Sequence, residues 1–277
     1  MARGKLPLAP LAVFSLLREL RDSATHGKPL VLGGARSLVE ALHRELVRDG
    51  DATAVREASL GALDGAAALV YVLAGHPTEE DERALRAADV AGTPIVVIGP
   101  DPRTAIPFVY ATDVLPLRPG EGFPLDELAR LLGSKLDEDA TSLGRRLPVL
   151  RKGIADALIA KVSRRNAILG AAIFIPGADF PVLTINQLRL VLRLAALHGR
   201  ELDAQRAPEI LGVIAGGLGL RAVARQALSV VPVAGWAVKG GVAYTGTRAL
   251  GEAAVRYFES SASGGGAEAD PSRADRA

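Results

Sequence analysis

Three short apolar runs, each followed at close range by a helical pattern, restrict the first half of this 277-residue chain to very few folds. Residues 29–33, 67–73 and 94–98 read PLVLG, AALVYVL and PIVVI. Continuous aliphatic and β-branched runs of this length belong to strands buried on both faces, not to a sheet with one wet side. Residues 53–58 and 108–117 read as two further strands, the second broken by turn residues. Between the strands lie helices at 37–48, at Thr78 onward and at 125–136. Thr78 precedes Glu79, Glu80, Asp81 and Glu82, so negative charge meets a helix N-terminus. Strands separated by helices of this length form βαβ crossovers, and the expected architecture is a flavodoxin-like parallel sheet of order 2-1-3-4-5 covered on both faces.

From residue 147 the strand signals stop, so the chain reads as α/β followed by an all-α, apolar helical bundle. Residues 149–162 are amphipathic. Residues 166–199 then read as two apolar helical arms folded about a Pro176-Gly177 corner, with Asp179 the single carboxylate. The second arm is expected to open at Thr184, with Gln187 three residues on in capping-box spacing. Leu188, Val191, Leu192 and Ala195 make one stripe and Leu190, Leu194 and Leu197 its flank, so only Arg189 and Arg193 interrupt an apolar circumference. Such a helix is buried, in protein or in lipid. Further helices are expected at 208–218, 221–230 and 235–258. Residues 259–277 are Gly, Ser and charge with nothing to bury, and are expected to be disordered. The expected division is an N-terminal segment 1–27, an α/β domain 28–146, a helical domain 147–258 and a tail 259–277.

Composition excludes several chemistries. There is no cysteine, hence no disulfide, no thiolate nucleophile and no cysteine metal site. His26, His43, His76 and His198 fall in separate segments without ligand spacing, and no Ser-His-acid set or carboxylate pair stands at motif spacing. No catalytic residue, metal or cofactor is expected. Residues 10–21 carry Val13, Leu16, Leu17 and Leu20 at helical period and run straight into Arg18, Glu19 and Arg21 without a small-residue cleavage site, which reads as a packed amphipathic helix rather than a signal peptide. Charge is unevenly spread: residues 147–258 hold 14 Lys and Arg against 6 Asp and Glu, whereas residues 1–146 hold 17 against 21. A basic helical half suits an anionic membrane surface or an acidic protein partner, although arginines on ordinary solvated faces would look the same.

In a parallel sheet, ligands sit beyond the C-terminal strand ends, which directs attention to the turn after the first strand. Residues 31–42 read VLGGARSLVEAL, followed in order by GAAALVYVLAG at 65–75 and by Pro119-Gly120-Glu121-Gly122 before Leu125, Glu127 and Leu128. This succession resembles Era-like GTPases over residues 29–136. The resemblance places Gly34 on the last glycine of the phosphate loop, Ala35 where the lysine belongs and Arg36 where the Mg²⁺-binding hydroxyl belongs. The first glycine of the loop falls on Pro29. The switch Asp-x-x-Gly is not found, and the guanine-reading Asn-Lys-x-Asp is replaced by Gly99-Pro100-Asp101-Pro102, in which only Asp101 matches. Gly33, Gly34, Arg36, Ser37 and Asp101 are therefore the remnant of a nucleotide site that lacks its chemistry. An atypical nucleotide-binding enzyme stays open as the alternative, as does a flavodoxin-like domain with no GTPase relative.

The stretches PGADFPVLTINQLRLVLRLAALHG, GGLGLRAVARQAL and AYTGTRALGEAAVRYF resemble the YcjF-type domain of unknown function, a bacterial helical domain found C-terminal to Era-like GTPases. The resemblance covers nearly all of residues 147–258 and implies an architecture and a neighbourhood rather than a reaction: a non-enzymatic pseudo-GTPase-like interaction module, with a GTPase or other protein as partner. Arg164 and Arg165, just before the apolar arm, would sit at headgroup level if that arm meets lipid, and Asp179, Arg189 and Arg193 are candidates for membrane or partner contact. Nucleic acid is not expected, and oligomers are permitted. No uncharged run reaches the ~18 residues of a spanning helix, but Gly212 with Gly216, and Gly235, Gly240, Gly241, Gly246 and Gly251, allow helix backbones to approach closely. A peripheral or partly inserted bundle at the inner face of the plasma membrane, a soluble cytoplasmic bundle and a spanning or pore-like protein remain three readings of the same helices.

Overall fold

The structure, a computed structural model, describes residues 27–58, 63–99, 105–172, 180–200 and 236–263. Five strands, β1 (Leu30–Gly34), β2 (Val55–Glu57), β3 (Ala68–Val72), β4 (Ile95–Gly99) and β5 (Val114–Pro116), form one all-parallel sheet in the order β2-β1-β3-β4-β5. Seven helices belong to the described residues: α1 (Arg36–Val47), α2 (Glu79–Val90), α3 (Leu125–Lys135), α4 (Glu138–Arg146), α5 (Arg151–Ala172), α6 (Phe180–Leu197) and α7 (Trp236–Ser263). The architecture is α/β, then helical.

The apolar runs behave as their composition requires. Every residue of β3 and β4 is buried, and β1 pairs in register with β3 from Leu30 opposite Ala68 to Gly34 opposite Val72. Alternation along the strands feeds two cores. Val31, Leu69, Tyr71 and Val97 face α2 through Leu85 and Ala88. Leu30, Leu32, Val70 and Val96 face α1 and α3 through Leu42, Leu46, Leu128 and Leu132. The second core does not stop at residue 147. It continues through Leu147, Leu150, Ile154 and Leu158 to Leu190, Leu194, Leu250 and Phe258, so the start of α5 is packed on the α/β unit. Gly153 and Gly133 let the two helices meet, since a Cβ on Gly153 would lie 2.5 Å from that of Ala129, and one on Gly133 would lie 2.8 Å from that of Ala157.

Several expectations change in detail. The strand read over 108–117 is confined to Val114–Pro116, because Phe108 takes a left-handed φ of 68° that no strand accommodates. The amphipathic segment 149–162 and the first apolar arm are one helix, α5, with no Gly-Pro break between them. The second arm begins at Phe180, four residues before Thr184, so Thr184 is not its cap; Pro181 is tolerated because a first-turn residue needs no intrahelical N–H. Gln187 instead donates to Thr247 Oγ1 at 3.3 Å. The last helix runs to Ser263, past the expected start of the tail. The helical part is also not apolar throughout, since α5 exposes Lys152, Asp156, Lys161, Arg164 and Arg165. On α6, however, Leu188, Leu190, Val191, Leu192, Leu194, Ala195 and Leu197 are all buried within the protein. Of the close-approach glycines, Gly240 and Gly251 lie against α5, at Ala167 and Ile159, whereas Gly241 and Gly246 face open space. The expected helix at 10–21, the Pro176-Gly177 corner, the helices at 208–218 and 221–230 with Gly212 and Gly216, Gly235, and the tail beyond 263 lie outside the described residues.

Candidate functional site

The carboxyl end of β1 is where a phosphate loop would stand. Gly33 is a buried strand residue whose missing side chain leaves room for the Tyr71 ring, 2.9 Å from where a Cβ would sit. Gly34 ends the strand with φ 106°, and a Cβ there would collide with the Val72 carbonyl oxygen. Ala35 then donates its N–H to that same oxygen at 2.8 Å, and α1 starts at Arg36. Ala35 is thus the single residue between strand and helix. A phosphate cradle needs several successive loop N–H groups turned towards one point, and here the backbone turns into the helix within one residue. Arg36 extends into solvent, 93% exposed, and pairs with Glu40 at 3.0 Å. Ser37 is exposed on the first turn, and Ala35 provides no side-chain cap. Asp101 lies outside the described residues.

Beside this turn, Tyr71 donates its hydroxyl to Asp81 Oδ1 at 2.7 Å. Asp81 also completes a capping box with Thr78, taking the Thr78 N–H at 2.7 Å while its own N–H goes to the Thr78 hydroxyl. Burial, then the hydrogen bond to the Asp81 carboxylate, pushes the Tyr71 phenol far above its ordinary value. For Asp81, burial raises the carboxyl, but hydrogen bonds from Thr78 and Tyr71 outweigh it and hold the group below its ordinary value. The arrangement pins the N-terminus of α2 to the sheet. The Thr78 cap was legible from its spacing, whereas the phenol was not, because nothing local distinguishes Tyr71 from the other core residues of its strand.

At the opposite ends of the strands a cleft of about 670 Å³ is lined by Lys28, Asp64, Lys135, Asp137, Glu138 and Asp139 among others. Lys28, Lys135, Asp137, Glu138 and Asp139 are engaged inside the protein. Lys135 meets Asp113 at 2.6 Å, Lys28 meets Asp139 at 3.5 Å, Lys161 meets Asp137, and Arg193 meets Glu138 at 4.0 Å. The Lys161 hydrogen bond, helped by its charge, holds the Asp137 carboxyl below its ordinary value. Arg193 is therefore part of the seam between α6 and α4.

The second concavity, about 800 Å³, runs between α3, α5 and α7 and is lined by Arg130, Lys161, Arg164, Arg165, Ile168 and Arg248, with alanines and Leu169 among its other walls. The fold brings Arg164 and Arg165 together here with cations from two other helices. Neither has an ion pair among the described residues, whereas Arg248 is held by Glu252 at 2.8 Å and Arg130 lies 3.9 Å from Glu127. Arg189 is exposed on α6 and does not line this groove. Asp179 lies outside the described residues. Lys161 and Arg248 could have been added from sequence only by knowing that α7 packs on this stretch of α5. Among the described residues, no group of three or more His, Asp or Glu side chains could hold a metal ion, and no helix is long and apolar enough to cross a membrane. Neither protein-family models nor curated proteins match the chain.

Proposed function

We propose that the protein is a non-enzymatic interaction module: a GTPase-like α/β unit without phosphate chemistry, carrying a helical unit whose basic end meets an anionic membrane surface at the inner face of the plasma membrane. The observation that carries the first half is the one-residue passage from Gly34 through Ala35 into α1, closed by the Ala35 N–H to Val72 carbonyl bond. A nucleotide needs the lysine and the Mg²⁺-binding hydroxyl at this turn, and their places in the resemblance hold Ala35 and the Glu40-paired Arg36. The resemblance of residues 147–258 to YcjF-type domains supports the interaction role. The membrane-facing half is supported by Arg164 and Arg165, two exposed guanidinium groups with no ion pair among the described residues, beside the exposed Ile168. Positive charge of this kind gains about 1 kcal/mol per residue near anionic lipid.

The first half is tested by titrating the full chain with fluorescent GTP and ATP analogues in the presence of Mg²⁺. No saturable binding is expected, and micromolar, Mg²⁺-dependent affinity for either nucleotide replaces this reading with that of an atypical nucleotide-binding enzyme.

A further inference from the structure

The groove between α3, α5 and α7 gathers like charge. On α5, Lys161, Arg164 and Arg165 line it within little more than one helical turn, with the small side chains of Ala157 and Ala160 beside them. Gly251 against Ile159 and Gly240 against Ala167 set α7 antiparallel along this run, which brings Arg248 into the same section of the groove. Arg130 of α3 extends the positive wall towards the α/β unit. Cations three or four residues apart on one helix repel each other, so this placement costs the isolated chain stability.

The acids at hand cancel only part of this charge. Lys161 is matched by Asp137 and Arg248 by Glu252 at 2.8 Å, while Arg130 lies 3.9 Å from Glu127. The other acid of the lining, Asp156, precedes Lys161 by about 7.5 Å along α5, at a rise of about 1.5 Å per residue. Arg164 and Arg165 are exposed and have no ion pair among the described residues. Residues 173–179 and 201–235 of the helical half hold four acids against three arginines, so they bring almost no net negative charge to the groove. An anion from outside the chain is the partner that the excess selects.

Resting on the reading that the basic part of the helical unit meets an anionic membrane surface, we propose that this section of the groove binds a dianionic phosphomonoester between Arg164, Arg165 and Arg248. Guanidinium forks present paired N–H donors that match phosphate oxygens two at a time, and they keep their charge at every physiological pH. A phosphomonoester offers three free oxygens and a second negative charge that develops around neutral pH. A phosphodiester headgroup has neither the third oxygen nor the second charge. The alanines and Leu169 supply apolar wall on which arginine stems lie while their heads reach the anion. The recognised chemistry is the same in a lipid headgroup and in a free phosphate ester.

The full-length protein is sedimented with phosphatidylcholine vesicles that contain either phosphatidic acid, a phosphomonoester, or phosphatidylglycerol, a phosphodiester, at matched surface potential. It is titrated separately with glycerol 3-phosphate. Several-fold tighter binding to the phosphatidic acid vesicles is expected. Arg164→Gln and Arg248→Gln should each remove most of that preference, whereas Arg189→Gln, which deletes the same charge on α6 outside the groove, should leave it unchanged. Saturable binding of glycerol 3-phosphate that the first two variants lose, with no preference between vesicles, supports the site and assigns it a free ester. Vesicle binding that follows surface potential alone without ester binding, or a preference that survives both variants, overturns the site and leaves the membrane-facing reading intact. Failure to bind either vesicle or the ester removes both.

Discussion

Arg146 Nε donates to Asp51 Oδ2 at 2.9 Å, tying the end of α4 to the turn before β2 across 95 residues of sequence. The same guanidinium donates to the Gly27 carbonyl at 3.0 Å and the Thr53 hydroxyl at 2.9 Å, while the Asp51 N–H reaches the Arg146 carbonyl at 2.8 Å. One residue at the end of α4 thus joins three parts of the α/β unit.

That relationship makes stability depend on acid pH. The hydrogen bond from Thr53, followed by that from Arg146, lowers the Asp51 carboxyl from 3.8 to about 2. A depressed folded-state value means that the stabilisation is complete above about pH 4 and is lost as pH falls towards 2. The carboxylate side chain is 43% exposed, so solvent screening keeps the effect to about 1 kcal/mol or less. Urea unfolding between pH 5 and 2 should show this loss in the parent protein, and Asp51→Asn should flatten that part of the profile. Arg146→Met, which removes three hydrogen bonds, should cost about 1–3 kcal/mol at neutral pH.

The glycines of α7 should split into two classes. A methyl group on Gly240 would lie 2.9 Å from the Ala167 backbone oxygen, and one on Gly251 would lie 2.7 Å from Ile159 Cγ1, whereas Gly241 and Gly246 have nothing within 4 Å. Gly240→Ala should destabilise by about 1–3 kcal/mol through overpacking. Gly241→Ala should stabilise by about 0.5–1 kcal/mol through helix propensity. Thermal melts of the two variants side by side check the sign, and a gain in both would remove the close approach of α7 to α5.

Asn166 Nδ2 donates to Thr247 Oγ1 at 2.9 Å and Asn186 Nδ2 to Asn166 Oδ1 at 2.8 Å, a buried polar layer across α5, α6 and α7 whose members should be coupled. Thr247→Val removes the oxygen that accepts from Asn166 and Gln187 and should cost about 1–3 kcal/mol, the penalty of buried donors left without partners. A double-mutant cycle with Asn166→Ala should return a coupling of about 0.5–3 kcal/mol, because the two side chains touch. Strictly additive losses would mean that the three helices do not share this layer.

Tyr71→Phe should cost about 1 kcal/mol by removing the phenol from Asp81. The Asp81 carboxyl should then titrate at a higher pH, since one of the hydrogen bonds holding it down is gone. Amide exchange at the first turn of α2 is expected to accelerate. Unchanged protection there would show that the Thr78 capping box alone fixes the helix start.

Much of the fold was legible because its signals are local. Thr78 with Asp81 three residues on is a complete cap within one helical turn, and the apolar runs at β1, β3 and β4 admit only a doubly covered parallel sheet. Thr184 with Gln187 has the same spacing as a cap, yet it lies inside α6, because Gln187 finds Thr247 sixty residues away. The turn after β1 shows the same limit. Gly34, Ala35 and Arg36 can be read letter by letter, but the collision that would follow from any side chain on Gly34 involves Val72 of a neighbouring strand.

The sequence by itself determined the α/β-then-helical order and the strand order of the sheet, because each follows from short-range periodicity or chirality. Only the tertiary structure decided that the apolar residues of α6 from Leu188 to Leu197 are buried by protein, that Arg193 serves Glu138, and that Arg164 and Arg165 share a groove with Arg130 and Arg248. Helical periodicity specifies which residues share a face. The height at which α5, α6 and α7 align is set by packing, here by Gly240, Gly251 and the hydrogen bonds joining Asn166, Asn186 and Thr247.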